Sequence, residues 1–159
     1  MRFAKLQHVA ERNGWTPFIS MQDQYNLINR GEELEMFGLL ADQGVGSIPW
    51  SPLAKGRLAR PWGEQTQRSE NDPMGQRYVD QANPPIVAAV GRVAEARGIP
   101  MAQVALAWVL RHPSVAAPIV GPTKGHHLPD AVAALDVELT EDEIAALEAP
   151  YTPRLPSGY

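Results

Sequence analysis

Three stretches of the chain place hydrogen-bonding or charged side chains directly after a short apolar run. They are Gln22-Asp23-Gln24-Tyr25-Asn26, Trp50-Ser51-Pro52-Leu53-Ala54-Lys55-Gly56 and Gly121-Pro122-Thr123-Lys124-Gly125-His126-His127. In the third, a glycine-bearing turn leads into a helix start, where free backbone N–H groups and the helix dipole favour an anion. Thr123 and Lys124 add a hydroxyl and a positive charge, which suits a phosphate. In the second, Trp50 offers a flat apolar ring for stacking. Ser51, Leu53 and Gly56 offer backbone donors for a diphosphate, with Gly56 permitting close approach. Together the three runs describe an anion- or nucleotide-binding face. The last two have plainer alternatives: a core position for Trp50 in the second, and a structural strand-to-helix turn with a solvated lysine in the third.

Other constellations carry less. No G-x-x-x-x-G-K-[ST] loop, G-x-G-x-x-G turn or G-x-S-x-G elbow occurs. His126-His127 lacks a third ligand at metal-binding spacing, so no metal site is expected. Glu32, Glu33 and Glu35 fit a solvated helix face, and so do Glu141, Asp142 and Glu143 at a helix N-terminus.

The elements that must hold these runs follow from apolar spacing. Phe3, Leu6, Val9 and Ala10 have a helical period, closed by Asn13-Gly14. Residues 18–21 form a short, mostly apolar run, too brief for a helix and bounded by turn residues, which predicts a buried strand. A helix over 31–43 carries Leu34, Phe37, Leu40 and Ala41 on one face and stops at Gly44. Residues 45–50 predict a second strand. Residues 51–83 are rich in Gly, Pro, Arg and Gln, and about thirty residues without a regular element normally mean a functional loop or disorder. Ile86, Val90, Val93 and Arg97 mark a third helix. A fourth starts near Pro100, carries Val104, Ala105, Trp108 and Val109, and cannot pass Pro113. Residues 117–121 predict a third strand, and 128–135 a helix with Pro129 in its first turn. Thr140 and Glu143 form a capping box for a last helix over 141–147. Prolines keep the tail, 150–159, out of helix. Short apolar strands alternating with amphipathic helices imply an α/β fold of parallel βα units, which present ligands at the C-terminal ends of their strands.

The chain has 159 residues, 14 basic and 18 acidic side chains and a formal net charge of −4. Its pI near 5.5 argues against a nucleic-acid partner, which normally meets a basic stripe. The absence of cysteine excludes disulfides, thiolate catalysis and Cys-built zinc sites, and is compatible with the expected cytoplasmic location. No apolar run approaches the roughly 20 residues of a membrane helix, so no membrane role is expected. One domain is expected at this length, and a complete (β/α)8 barrel, typically about 250 residues, is not.

In combination the motifs resemble the aldo-keto reductases. Pro49-Trp50-Ser51-Pro52-Leu53-Ala54-Lys55-Gly56-Arg57-Leu58 is similar to the seventh-strand loop of that family and is the most specific match. Gln22 followed by Tyr25-Asn26-Leu27 resembles the sixth-strand end, and residues 121–131 resemble the eighth-strand loop and its helix. The Trp50 cluster looks closest to the branch with potassium-channel β-subunits and general bacterial oxidoreductases. The resemblance implies residues 1–159 as a single partial domain: the C-terminal half of a (β/α)8 TIM barrel, about three parallel strands with five to six helices.

It also implies NADP (NADPH) as cofactor. Gln22 would bond the nicotinamide carboxamide and Trp50 would stack on the ring. Ser51, Pro52, Leu53, Lys55 and Gly56 would line the pyrophosphate, with Arg60 and Arg68 in the loop folding over it. Gly121, Thr123 and Lys124 would lie near the 2′-phosphate, and His127 and Asp130 near the ribose and adenine. The family commonly has Gln at position 127, Glu at 130 and Asn where this chain has Ala131. Its reaction is hydride transfer to an aldehyde or ketone, with a tyrosine donating the proton beside lysine, aspartate and histidine. Those four catalytic residues belong to the family's N-terminal half. Tyr25, Tyr78, Tyr151 and Tyr159 do not match the tyrosine, nor His8, His112, His126 and His127 the histidine. The resemblance therefore implies a cofactor-binding fragment of an oxidoreductase, inactive alone and acting on carbonyl substrates only with the N-terminal half. The alternative is a non-catalytic nucleotide-binding or interaction module. The open half-barrel suggests a homo-oligomer.

Overall fold

Where each strand begins and ends is decided by which groups capture its backbone. The computed structural model describes residues 2–64 and 83–153. Helix α1 (Arg2–Arg12) ends before Gly14, which takes φ 65° in the left-handed region open to glycine. The expected strand over 18–21 shortens to β1 (Ser20–Met21). The cause is Gln7 of α1, whose amide brackets residue 18: Nε2 donates to Phe18 O at 2.9 Å, and Phe18 N donates to Oε1 at 2.8 Å. With those groups taken by a side chain, Phe18 and Ile19 lie exposed at the strand entrance.

The expected 31–43 helix is two elements, a 3-10 turn (Gly31–Glu33) and α2 (Met36–Gln43). Phe37 and Leu40 enter the core, but Leu34 is 77% exposed and Ala41 faces solvent, so the apolar face is narrower than its spacing predicts. Val45 is buried, and β2 (Gly46–Ser47) pairs parallel with β1 in the register Ser20↔Gly46 and Met21↔Ser47. A parallel bridge, Gln24↔Trp50, carries the pairing onward.

The third strand is not regular. Segment 115–119 joins the far side of β2 through two isolated parallel bridges, Ser47↔Val115 and Trp50↔Ile119. It takes four steps where β2 takes three, so one residue is extra, and Pro118 has no N–H to give to a ladder. The described sheet is therefore two-stranded with a bulged third segment, against the three strands expected. Gly46 is needed beside that segment, because a Cβ there would lie 3.0 Å from the Ala116 Cβ.

Three helices supply much of the core. Helices α3 (Asn83–Arg97) and α4 (Met101–Leu110) pack on each other, and α6 (Glu141–Glu148) packs on α3. Helix α5 (His127–Ala133) runs on into a 3-10 turn (Ala134–Asp136) beside α4. The capping box is present: Thr140 Oγ1 accepts from Glu143 N, and Glu143 Oε2 accepts from Thr140 N at 2.8 Å. Tyr25, Leu27, Leu40, Leu58, Ile86, Val90, Val104, Trp108 and Leu147 are fully buried and form the core. The 51–83 stretch is not wholly irregular, since a kinked 3-10 helix (Ala54–Ala59) sends Ala54 and Leu58 into that core. Among the described residues no helix is long and apolar enough to cross a membrane.

Candidate functional site

The parallel bridges bring Gln24, Trp50 and Ile119 side by side at the C-terminal ends of the sheet, so the three runs picked out by residue type share one end of the fold. Trp50 sits between its two neighbours: its N–H donates to Asp23 O at 2.8 Å, and Ile119 N donates to Pro49 O at 2.8 Å. Trp50 is 38% exposed, which argues against the core-aromatic alternative. Gln22, one step past β1, is exposed.

Beyond Trp50 the backbone coils tightly. Ser51, Ala54 and Lys55 have φ of 55°, 47° and 56°, and Gly56 has 84°. Three non-glycine residues in the left-handed region within five positions is unusual, and such strain persists only where surrounding contacts over-determine it. Here the contacts are visible. Ser51 O accepts from Ala54 N at 2.9 Å, Ser51 Oγ accepts from Lys55 N at 3.2 Å, and Leu53 O accepts from Gly56 N at 2.8 Å. Pro52 is buried, Leu53 packs on the core, and Lys55 is exposed. The space over Gly56 belongs to Arg60, whose Nη1 would lie 3.2 Å from a Cβ at that glycine. Burial and the neighbouring Arg57 push the Arg60 guanidinium down from its ordinary pKa. Arg57 in turn lies over the Trp62 ring, 5.4 Å from its centre. Arg68 lies outside the described residues.

At the third run Gly121, Thr123 and Lys124 are exposed ahead of α5. Thr123 N donates to His127 Nδ1 at 3.2 Å, so the imidazole holds this loop to the start of α5. Asp130 Oδ1 accepts from Gln103 Nε2 at 3.4 Å, which ties α5 to α4. Among the described residues no group of three or more His, Asp or Glu could hold a metal ion. The rim presents the Trp50 ring, the Gln22 amide and the Lys55 and Lys124 cations, but Gly56 does not offer the donor and close approach expected of it, because its N–H donates to Leu53 O and Arg60 lies over it.

Several residues beneath the rim escape a reading by residue type. Asn26 is fully buried and donates from Nδ2 to Ser51 O at 2.9 Å, linking the first run to the second. Asp23 is 5% exposed; its Oδ1 accepts from Ser47 Oγ at 2.7 Å, while Oδ2 has no partner among the described residues. Burial pushes the Asp23 carboxyl above the usual range, and the Ser47 bond opposes this in part. Burial together with Asp23 also raises Glu32.

Glu33 does not lie on a solvated face as expected. It accepts from the Tyr25 hydroxyl at 2.6 Å and takes a bidentate Arg30 guanidinium, Nε at 2.9 Å and Nη2 at 2.8 Å. Arg30 also reaches Glu148 at 3.0 Å, and Glu148 accepts from Trp108 Nε1 at 3.0 Å and from Arg111. Tyr25 is stacked on Trp108 with ring centres 5.1 Å apart. Burial and then the Glu33 bond push the Tyr25 phenol far above its ordinary pKa, so it is a structural donor. A polar residue flanked by buried apolar ones, as Asn26 is by Tyr25, Leu27 and Ile28, is the signal that could have marked this layer.

The sequence pattern described as the Aldo/keto reductase family matches residues 2–151. The chain is 46% identical to the versiconal hemiacetal acetate reductase of Aspergillus parasiticus over 157 residues, 96% of this chain and 46% of that protein. It is 45% identical to an aldo-keto reductase of Fusarium vanettenii, over 99% of this chain and 43% of that one. A putative aryl-alcohol dehydrogenase of Saccharomyces cerevisiae is 38% identical, over 96% of this chain and 45% of its own length. The chain thus spans less than half the length of these curated relatives.

Proposed function

The chain belongs to the aldo/keto reductase family, and on that premise we propose that it carries the NADP-binding side of an oxidoreductase acting on carbonyl or alcohol groups. The single observation that most supports this is the convergence at the sheet end. An exposed tryptophan lies beside a strained loop carrying Lys55 and a second loop carrying Lys124, with an exposed glutamine close by. The donor set fits a nicotinamide dinucleotide phosphate. Gln22 bonds the carboxamide and Trp50 stacks on the nicotinamide, fixing which face is presented. The 51–56 loop (Ser51, Pro52, Leu53, Lys55, Gly56) and Arg60 hold the diphosphate, with Arg68 as a further contact. Gly121, Thr123 and Lys124 hold the 2′-phosphate, with His127 and Asp130 toward the ribose and adenine. When bound, the cofactor supplies a hydride to the carbonyl carbon of an aldehyde or ketone.

The proton for the resulting alkoxide has no donor here that matches the family's tyrosine. Tyr25, locked on Glu33 and held neutral by burial, cannot release its proton at ordinary pH. We therefore place the acid–base residues outside residues 1–159 and read the described sheet as part of a closed βα barrel. Exposed Leu6 and Val9 on α1, and Leu128 and Val132 on α5, favour further packing partners at both flanks, either the remaining βα units or a second copy of this chain.

Calorimetric titration of the 159-residue chain with NADPH and NADH tests the cofactor assignment. NADPH is expected to bind, without being consumed when an aldehyde is added. Lys124→Ala should weaken NADPH about tenfold, the worth of a charge-assisted contact, and leave NADH nearly unchanged. Equal loss for both cofactors would refute the 2′-phosphate role of Lys124, and no binding of either at millimolar concentration would refute the function.

A further inference from the structure

We propose that Asn26 is the positioning residue that sets the 51–56 loop in its ligand-binding shape, acting through the Ser51 carbonyl; for its ligand, the diphosphate of the cofactor, this rests on the function proposed above. Asn26 is fully buried and reaches no surface at which a ligand could touch it. Its orientation is over-determined. Oδ1 accepts from Ile28 N and Asn29 N, both at 2.9 Å, so the amide end is the one left to aim at Ser51. The backbones of Asn26 and Asn29 also bond each other in both directions, at 3.1 and 3.0 Å, which closes a tight turn around that side chain.

Nδ2 then donates to Ser51 O at 2.9 Å. Ser51 is the first left-handed residue of the loop and the root of its internal bonds, through Ala54 N to its carbonyl and Lys55 N to its hydroxyl. An L-residue held left-handed tends to relax toward extended backbone unless something restrains it. A fixed donor on the Ser51 carbonyl is such a restraint. It comes from the β1 side of the site, so one buried amide couples the Gln22 strand end to the loop that follows Trp50. Losing it frees Ser51 to rotate, and the turn carrying Ala54, Lys55 and Gly56 loses its anchor.

The test uses the full 159-residue chain and two readouts, amide hydrogen exchange and NADPH affinity. Asn26→Asp keeps the shape and both acceptor roles but removes the donor. Exchange should quicken across 51–56 while α4 stays protected, and NADPH should bind about tenfold more weakly. Adding Ser51→Gly, which makes the left-handed conformation easy, should bring affinity back to within about threefold of the Ser51→Gly chain. If Asn26→Asp does not fold, Asn26→Ala should give the same local pattern. Unchanged loop exchange, exchange rising equally in α4, failure of both variants to fold, or absence of rescue by Ser51→Gly would each overturn the proposal. If the unsubstituted chain does not bind NADPH, the function falls, and loop exchange alone decides the role of Asn26.

Discussion

Left-handed backbone at Ser51, Ala54 and Lys55 costs on the order of 1–2 kcal/mol per residue, offset by the turn's internal bonds and the burial of Ala54 and Leu58. On the proposed function, the strain also keeps the loop's shape ready for a ligand. Lys55→Gly should accordingly raise stability by up to about 1 kcal/mol, seen as a higher midpoint in urea, while weakening NADPH binding severalfold. A variant that bound NADPH as well as the parent would remove the case for functional strain at this position. At this scale the rim was legible in the sequence, because Gln22, Trp50, Lys55 and Lys124 each follow an apolar run and each is exposed. The layer beneath was not. Asn26, Asp23 and Glu33 act through buried bonds to residues up to 25 positions away, and spacing along a chain carries no record of such partners.

Elements followed their apolar periods wherever side chains alone decided the matter. Helices α1, α3, α4 and α6 begin and end close to where spacing and capping residues place them. The strands did not, since their lengths depend on who satisfies the backbone: Gln7 takes the Phe18 peptide, and Pro118 with one extra residue breaks the third ladder. The start of α6 shows an element held by charge. Arg97, at the end of α3, donates from Nε to Glu143 at 2.5 Å and from Nη2 to Glu138 O at 2.7 Å. The Arg97 bond, aided by the Thr140 cap, pushes Glu143 down from 4.5 to about 2. In the unfolded chain Glu143 takes up its proton near 4.5, whereas the native chain does so only near 2. Its stabilising contribution is therefore complete above the unfolded value and is lost as pH falls through about 2. Glu143→Gln should cost about 1 kcal/mol at neutral pH, the size of a partly exposed ion pair and cap, and flatten the acid limb of a stability–pH curve. An unaltered acid limb would show that the pair does not hold α6 to α3.

Across the described residues the buried core is built from residues 25–28, α2, the 54–58 turn and helices α3, α4 and α6, while α1 and α5 keep large apolar side chains in solvent. The short parallel sheet and its helices agree with a part of an eight-stranded barrel. The family was legible in three loop motifs; the bulge at 115–119 was not, because it arises from register between segments nearly 70 residues apart. On the proposed function these units hold a cofactor and leave the proton chemistry to other residues. The most direct check is a tryptophan fluorescence titration of the chain with NADPH, alongside Trp50→Phe to isolate one of its four tryptophans. Saturable quenching with energy transfer to the reduced nicotinamide is expected, with most of the transfer gone in Trp50→Phe. Emission that stays constant up to millimolar NADPH, or that quenches equally in both chains, would contradict a cofactor seated on Trp50.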